Sequence, residues 1–198
     1  MSDCKNVVLL GGGGHALSCA EVVLQSDRLN LVGYIAPAAS DELKSYKIEY
    51  LGDDSIISEC VRRGVYFHIA VGQIKTAETR IKLHSTIAAS KARLLSLIAE
   101  TAYMARTADL GSGSFVGQNS VLNACAKIGE NCIINTGAII EHGARIGAYC
   151  HIAPGAIVLG NVDIGDRSFV GAGAVIREGM KVRAGSVVPA GKCLMNDS

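Results

Sequence analysis

A stride of six constrains this chain more than any other feature. From Ile98, the positions Met104, Leu110, Val116, Leu122, Ile128, Ile134, Ile140, Ile146, Ile152, Val158, Ile164, Val170, Ile176, Val182, Val188 and Leu194 follow without a slip, and each is aliphatic or Met. A helix repeats about every 3.6 residues and a half-buried strand about every two, so a sustained period of six calls for a coiled, repeating backbone. Four places after most stride positions stands a small residue: Ala108, Ala126, Cys132, Ala138, Ala144, Cys150, Ala156, Ser168, Ala174 or Ser186. One large and one small inward side chain per hexad fits a narrow triangular prism with three short strands per coil. Successive coils then pair as parallel strands ~4.8 Å apart, which satisfies the backbone groups of each.

The N-terminal part follows another rule. Residues 7–10 form a short apolar run, four glycines and His15 follow, and residues 16–25 carry apolar side chains at helical spacing. That order reads as strand, glycine turn, helix. Further strands are expected over 31–35 and 65–71, and helices over 53–63 and 75–89. Alternating strands and helices imply a small parallel sheet of Rossmann type over residues 1–92, and the solenoid takes residues 93–198. Gly11, Gly13 and Ala16 match a GxGxxA pattern, whose glycines permit a tight turn and let helix-start N–H groups approach a phosphate. Ile35 is followed by Ala36 and Pro37, not by the acid that would bind a ribose hydroxyl, so the turn suits a nucleoside diphosphate better than a redox dinucleotide.

Composition narrows the partners. With 198 residues, about half of them hydrophobic, one or two domains with cores of their own are expected. The net charge is +1 with Lys and Arg scattered, which gives no footprint for nucleic acid or an anionic membrane. The run at 7–10 is too short for a signal or a membrane span, so a cytoplasmic location is expected. The 7 Cys form no CxxC. Cys132 and Cys150 share the small inward phase, so they read as a buried ladder of reduced thiols.

Chemistry in the solenoid points to two histidines, the residue type that ordinarily changes charge near neutral pH. His142 lies off the inward phase and should project outward; His151 immediately precedes Ile152. A zinc site shared between subunits would need a third His at metal spacing, and the solenoid holds none, so no metal is expected.

The hexad pattern resembles the hexapeptide repeat of the left-handed parallel β-helix. The run NTGAIIEHGARIGAYCH over residues 135–151, continuing to Asn161, resembles a sugar acetyltransferase group. That group includes the sialic acid O-acetyltransferases and the UDP-4-amino-sugar N-acetyltransferases of bacillosamine synthesis. Gly72, Gln73, Ile74 and Lys75 also look like the group, as does the order of a Rossmann-like domain with a glycine-His turn before a β-helix. The resemblance implies acetyl-CoA as co-substrate and His142 as general base. It also implies Asn135 in the same site, with Glu141 beside it as an orienting carboxylate. His151 would contact the thioester region, Ala172 and Ala190 would line the pantetheine, and Gly13, Gly14, His15 and Gly72 would hold the nucleotide sugar. It further implies a homotrimer and a direct ternary-complex reaction. Two positions depart from the pattern. Ala36 and Pro37 stand where UDP-binding members carry acids, and Gly143 stands where some members carry an acid after the catalytic His. The expected reaction is N-acetylation of a UDP-linked 4-amino-4,6-dideoxy sugar. The alternatives are O-acetylation of a sialic-type or other surface-polysaccharide sugar and, outside enzymes, a nucleotide-sugar-binding scaffold.

Overall fold

The structure, a computed structural model, describes residues 4–74 and 76–195. It divides into two compact units, one of Met1–Gly72 with Glu78–Leu97 and one of Gln73–Ala77 with Ile98–Ser198. The first unit runs on past the expected break at residue 92 because Arg93–Leu94 adds a strand to its sheet. The segment 73–77 groups with the solenoid, to which Gln73 is hydrogen-bonded.

The first unit is a parallel sheet with helices. Its elements are β1 (Lys5–Leu10), α1 (Gly14–Leu24), β2 (Leu29–Ile35), α2 (Asp41–Ser45), β3 (Tyr50–Gly52), α3 (Ile57–Arg62), β4 (Tyr66–Ile69), α4 (Glu78–Ala89) and β5 (Arg93–Leu94). All strands are parallel in the order β3-β2-β1-β4-β5. Strand order therefore reverses beside β1, and ligands of such sheets bind where the strands end at that point. β3, β5 and α2 are absent from the sequence reading because they are too short to show a period. The helix expected over 53–63 opens instead with a 3-10 turn, Asp54–Ile56, since Asp53 Oδ1 accepts from Ser55 N at 3.0 Å. The expected start of the last helix, Lys75, lies outside the described residues.

Val8, Leu10, Ile35, Phe67, Ile69 and Ile87 centre the core of this unit. It also buries two polar side chains completely, His68 and Arg80. Arg80 Nη1 donates to the carbonyls of Ile69 at 2.9 Å and Val71 at 2.6 Å, which fixes the chain leaving β4.

The second unit is the expected prism. Two-residue strands recur in three parallel sheets, one strand of each per coil. Sheet one includes Phe115–Val116, Ile133–Ile134, His151–Ile152, Phe169–Val170 and Val187–Val188. Sheet two includes Val121–Leu122, Ile139–Ile140, Ile157–Val158 and Val175–Ile176, and sheet three includes Lys127–Ile128, Arg145–Ile146 and Asp163–Ile164. Each strand pairs with the residues eighteen further on, as in Ile133↔His151 and Ile139↔Ile157. The second residue of each strand is the stride position. These side chains, with the small residues between them, form one continuous buried cluster from Val116 to Val188. Cys132 and Cys150 are fully buried free thiols whose Sγ atoms donate to Gly147 O at 3.0 Å and Gly165 O at 3.2 Å. Ser168 Oγ makes the same kind of bond to Arg183 O at 3.0 Å, so a thiol and a hydroxyl serve one purpose on this phase.

Candidate active site

In the first unit the glycine turn links β1 to α1. Gly11 has φ +128, and a Cβ there would lie 2.8 Å from Val71 Cγ2, so this position needs glycine for both backbone and space. Gly13 is the N-cap of α1, extended and without a side-chain cap. A Cβ on Gly13 or Gly14 would meet nothing within 4 Å. The helix start is thus open to an approaching group, and the dipole of α1 favours an anion there. Gly72 borders the same turn, since its Cβ would lie 3.5 Å from His15 Cβ.

His15 leads inward from this turn. Its Nε2 lies 3.5 Å from Cys19 Sγ one helical turn on. Burial holds the Cys19 thiol well above the ordinary range against the opposing influence of Arg80, so the S–H donates and the ring nitrogen accepts. Burial likewise pushes His68 down to about 4, which the bond from its Nδ1 to Leu95 O at 2.9 Å opposes and the Arg80 charge reinforces. His15, Cys19 and His68 offer three ligand-type atoms within 4.8 Å of one another. The Arg80 guanidinium acts electrostatically on both Cys19 and His68 and would oppose a cation placed among them.

In the prism the expected residues fall on two edges. Asn135, Ala172 and Ala190 lie in turns that follow strands of sheet one, and His151 opens the strand one coil above Ile133. Ala172 and Ala190 are stacked on successive coils, with Gly191 N donating to Ala172 O at 2.8 Å, and both are exposed. His151 is buried. Its Nδ1 meets Gln73 O at 2.5 Å and its Nε2 meets Asn135 Nδ2 at 3.2 Å, while Phe169 stands edge-on at 5.2 Å. Asn135 Oδ1 accepts from Thr136 N at 2.8 Å, which orients the amide so that its NH2 faces His151. A carbonyl on one side and an amide donor on the other assign the neutral tautomer with the proton on Nδ1. Gln73 Nε2 donates in turn to Tyr149 O at 2.8 Å.

Glu141 and His142 lie one edge further on, after the sheet-two strand Ile139–Ile140. His142 is exposed, as its outward phase requires. A Cβ on Gly160, one coil above, would stand 2.7 Å from His142 Cε1 and 2.8 Å from its Nε2, so the imidazole rests on a backbone that only glycine leaves bare. The Glu141 carboxylate accepts from Asn123 Nδ2 at 2.8 Å and from His142 N at 3.2 Å. It braces the backbone of His142. Sequence reasoning passed over Gln73 and Gly160 as site residues. Gln73 acts through a backbone carbonyl, and Gly160 acts through the side chain it lacks.

Three family models cover the chain in turn. Residues 6–86 match the PglD N-terminal domain, 109–142 match the hexapeptide repeat of succinyl-transferase, and 143–178 match the bacterial transferase hexapeptide of six repeats. PerB from Caulobacter crescentus, solved in complex with CoA and GDP-perosamine, is 30% identical with a TM-score of 0.89, over 98% of this chain and 90% of that one. The chain belongs to the hexapeptide-repeat sugar acetyltransferases. It is an acyltransferase, and its fold is a Rossmann-like sheet followed by a left-handed parallel β-helix. The acetyltransferase domain of PglB from Neisseria gonorrhoeae, solved in complex with acetyl coenzyme A, shares that fold at 24% identity and a TM-score of 0.86, over 98% of this chain and 92% of that one. Comparison with curated protein sequences gives no match. No helix among the described residues is long and apolar enough to cross a membrane.

Proposed function

We propose that this enzyme transfers the acetyl group of acetyl-CoA to the amine of a nucleotide-linked 4-amino-4,6-dideoxy sugar, with His142 as general base. The observation that carries the reading is the exposed His142 imidazole seated on Gly160, within a chain that resembles a CoA- and GDP-perosamine-bound N-acetyltransferase nearly end to end. An amine attacks a thioester carbonyl only when deprotonated. His142 takes that proton as the new C–N bond forms; the C–S bond then breaks, and the proton passes to the departing CoA thiolate. The thioester is already activated, so no acyl-enzyme is needed, and the buried Cys150 is no nucleophile. With its proton on Nδ1, His151 offers a lone pair at Nε2, so the developing oxyanion takes its hydrogen bond from the Asn135 amide or a backbone N–H. The nucleotide diphosphate is held at Gly13 and Gly14, where α1 begins.

A homotrimer follows from the split of the prism residues. Asn135 and His142 lie at opposite ends of one sheet-two strand, a separation on the order of 15 Å that a single acetyl group does not bridge. Three prisms around a three-fold axis bring the Asn135–His151 edge of one copy to the His142 edge of the next. Each site is then made by two chains.

The test is an incubation with acetyl-CoA and nucleotide-linked 4-amino sugars, read by mass spectrometry. Gain of one acetyl group on nitrogen supports the reading, as does loss of about 10²-fold or more in turnover for His142→Ala with acetyl-CoA affinity retained. Acetylation of hydroxyl groups alone would move the assignment to O-transfer. Turnover unchanged in His142→Ala would remove the base.

A further inference from the structure

Glu141 carries a charge that its structural task does not use. Its Oε2 accepts from Asn123 Nδ2 at 2.8 Å and from His142 N at 3.2 Å, and neither ring nitrogen of His142 bonds to it. Bracing a turn of this kind needs only a neutral carbonyl. Asn123 does it one coil below, where Oδ1 accepts from Ala124 N at 2.7 Å, and Asn135 does it on the other edge with Thr136 N at 2.8 Å. Among the described residues nothing donates to Glu141 Oε1, and no Lys or Arg pairs with the carboxylate. The coil below brings Asn123, Ala124 and Cys125 to this turn and the coil above brings Leu159, Gly160 and Asn161, none of them a cation. The turn itself adds His142. Glu141 is half-buried, so an unmatched negative charge is kept partly out of water beside the base.

We infer that Glu141 Oε1 receives the ammonium group of the acceptor and so selects amines over hydroxyls, which rests on the nucleotide-linked amine and the His142 base proposed above. An amine and a hydroxyl differ little in size. Near neutral pH an aliphatic amine is an ammonium ion with three donors, whereas a hydroxyl donates once and brings no charge. An ammonium held at Oε1 neutralises the carboxylate through an N–H···O bond between opposite charges; a hydroxyl there leaves the negative charge in place. Oε1 shares its carbon with the oxygen that bonds His142 N, so the group it holds lies beside the imidazole. The bound ammonium carries one proton too many to attack. It passes that proton to His142, which hands it to water. The second proton leaves nitrogen through His142 as the C–N bond forms and reaches the CoA thiolate as the C–S bond breaks.

Calorimetry on the full chain tests this, with GDP- and UDP-linked 4-amino-4,6-dideoxy sugars and their 4-hydroxy counterparts titrated into wild type and Glu141→Gln. The amide oxygen of Gln can take both bonds of Oε2, so the variant should melt as wild type does. Below the ammonium pKa of the free acceptor, wild type should bind the amino sugar about tenfold more tightly than the hydroxy sugar, and Glu141→Gln should cut that preference to about threefold or less. Above that pKa the wild-type preference should shrink as well. This pH dependence needs no variant, and a brace alone would not produce it. Equal or absent binding of the two sugars by wild type, or an undiminished preference in Glu141→Gln, would overturn the inference. An amine preference carried by Glu141 without acetyl transfer to nitrogen would keep this inference and defeat the transfer reading. N-acetylation with a Glu141→Gln binding loss equal for both sugars would do the reverse.

Discussion

The two units arrange their site residues in opposite ways. In the first, Gly13, Gly14, His15 and Gly72 belong to one turn and the strand end beside it, and a single chain supplies them all. In the prism, Asn135 and His151 stand on one edge while Glu141 and His142 stand on the next. A repeating prism has no loops long enough to gather residues from different edges. In the proposed trimer, binding is local to a chain and chemistry is shared between chains.

Mixing chains breaks or sharpens that contrast with the largest expected effect. His142→Ala and His151→Ala chains, each impaired alone, should regain activity when refolded together. Random assembly leaves about a quarter of interfaces with both wild-type residues, so about a quarter of wild-type turnover should return. No recovery would mean that one chain holds the whole catalytic set.

The cores differ as well. The prism cluster consists of Ile, Val, Leu, Ala, Cys and Met, whereas the first unit buries His68 and Arg80 completely. Because the folded pKa of His68 is about 4, below the ordinary value of about 6.5, the unfolded chain binds a proton that the folded chain refuses. Stability from this group is fully present above pH ~6.5 and is lost as pH falls toward about 4, by an amount on the order of 3 kcal/mol. Hydrogen exchange at pH 7 and pH 4.5 should show the first unit opening in acid while the prism stays protected. Replacing His68 with Phe should flatten that dependence; an equal acid response in both units would contradict it.

A smaller effect probes the prism edge. Gly160→Ala puts a Cβ 2.7 Å from the His142 ring, and the exposed ring must turn aside. Turnover should fall about tenfold with little change in thermal midpoint. An unchanged rate would separate the ring position from catalysis.

Legibility followed the same division. The prism could be read from sequence because every coil repeats one packing problem, so Ile140 and Ile152 announce their burial by phase alone. The outward placement of His142 came from the same grid. The sheet was readable only in its longer elements, since β3 and β5 are too short for a pattern and Arg80 on α4 looks like an ordinary surface cation until its carbonyl partners are seen. Gln73 and Gly160 act through backbone or through an absent side chain, and neither leaves a chemical signal in the chain.

Two variants measured against two kinds of ligand, nucleoside diphosphates and acetyl-CoA, test the central claim, that the sheet binds the acceptor and the prism performs the transfer. In Gly13→Val the new side chain has room to fold yet stands where the diphosphate would approach α1. By calorimetry this variant should lose GDP and UDP binding and keep acetyl-CoA binding, whereas His142→Ala should keep both kinds of ligand and lose turnover. Nucleotide binding unchanged in Gly13→Val, or acetyl-CoA binding lost with it, would contradict the account.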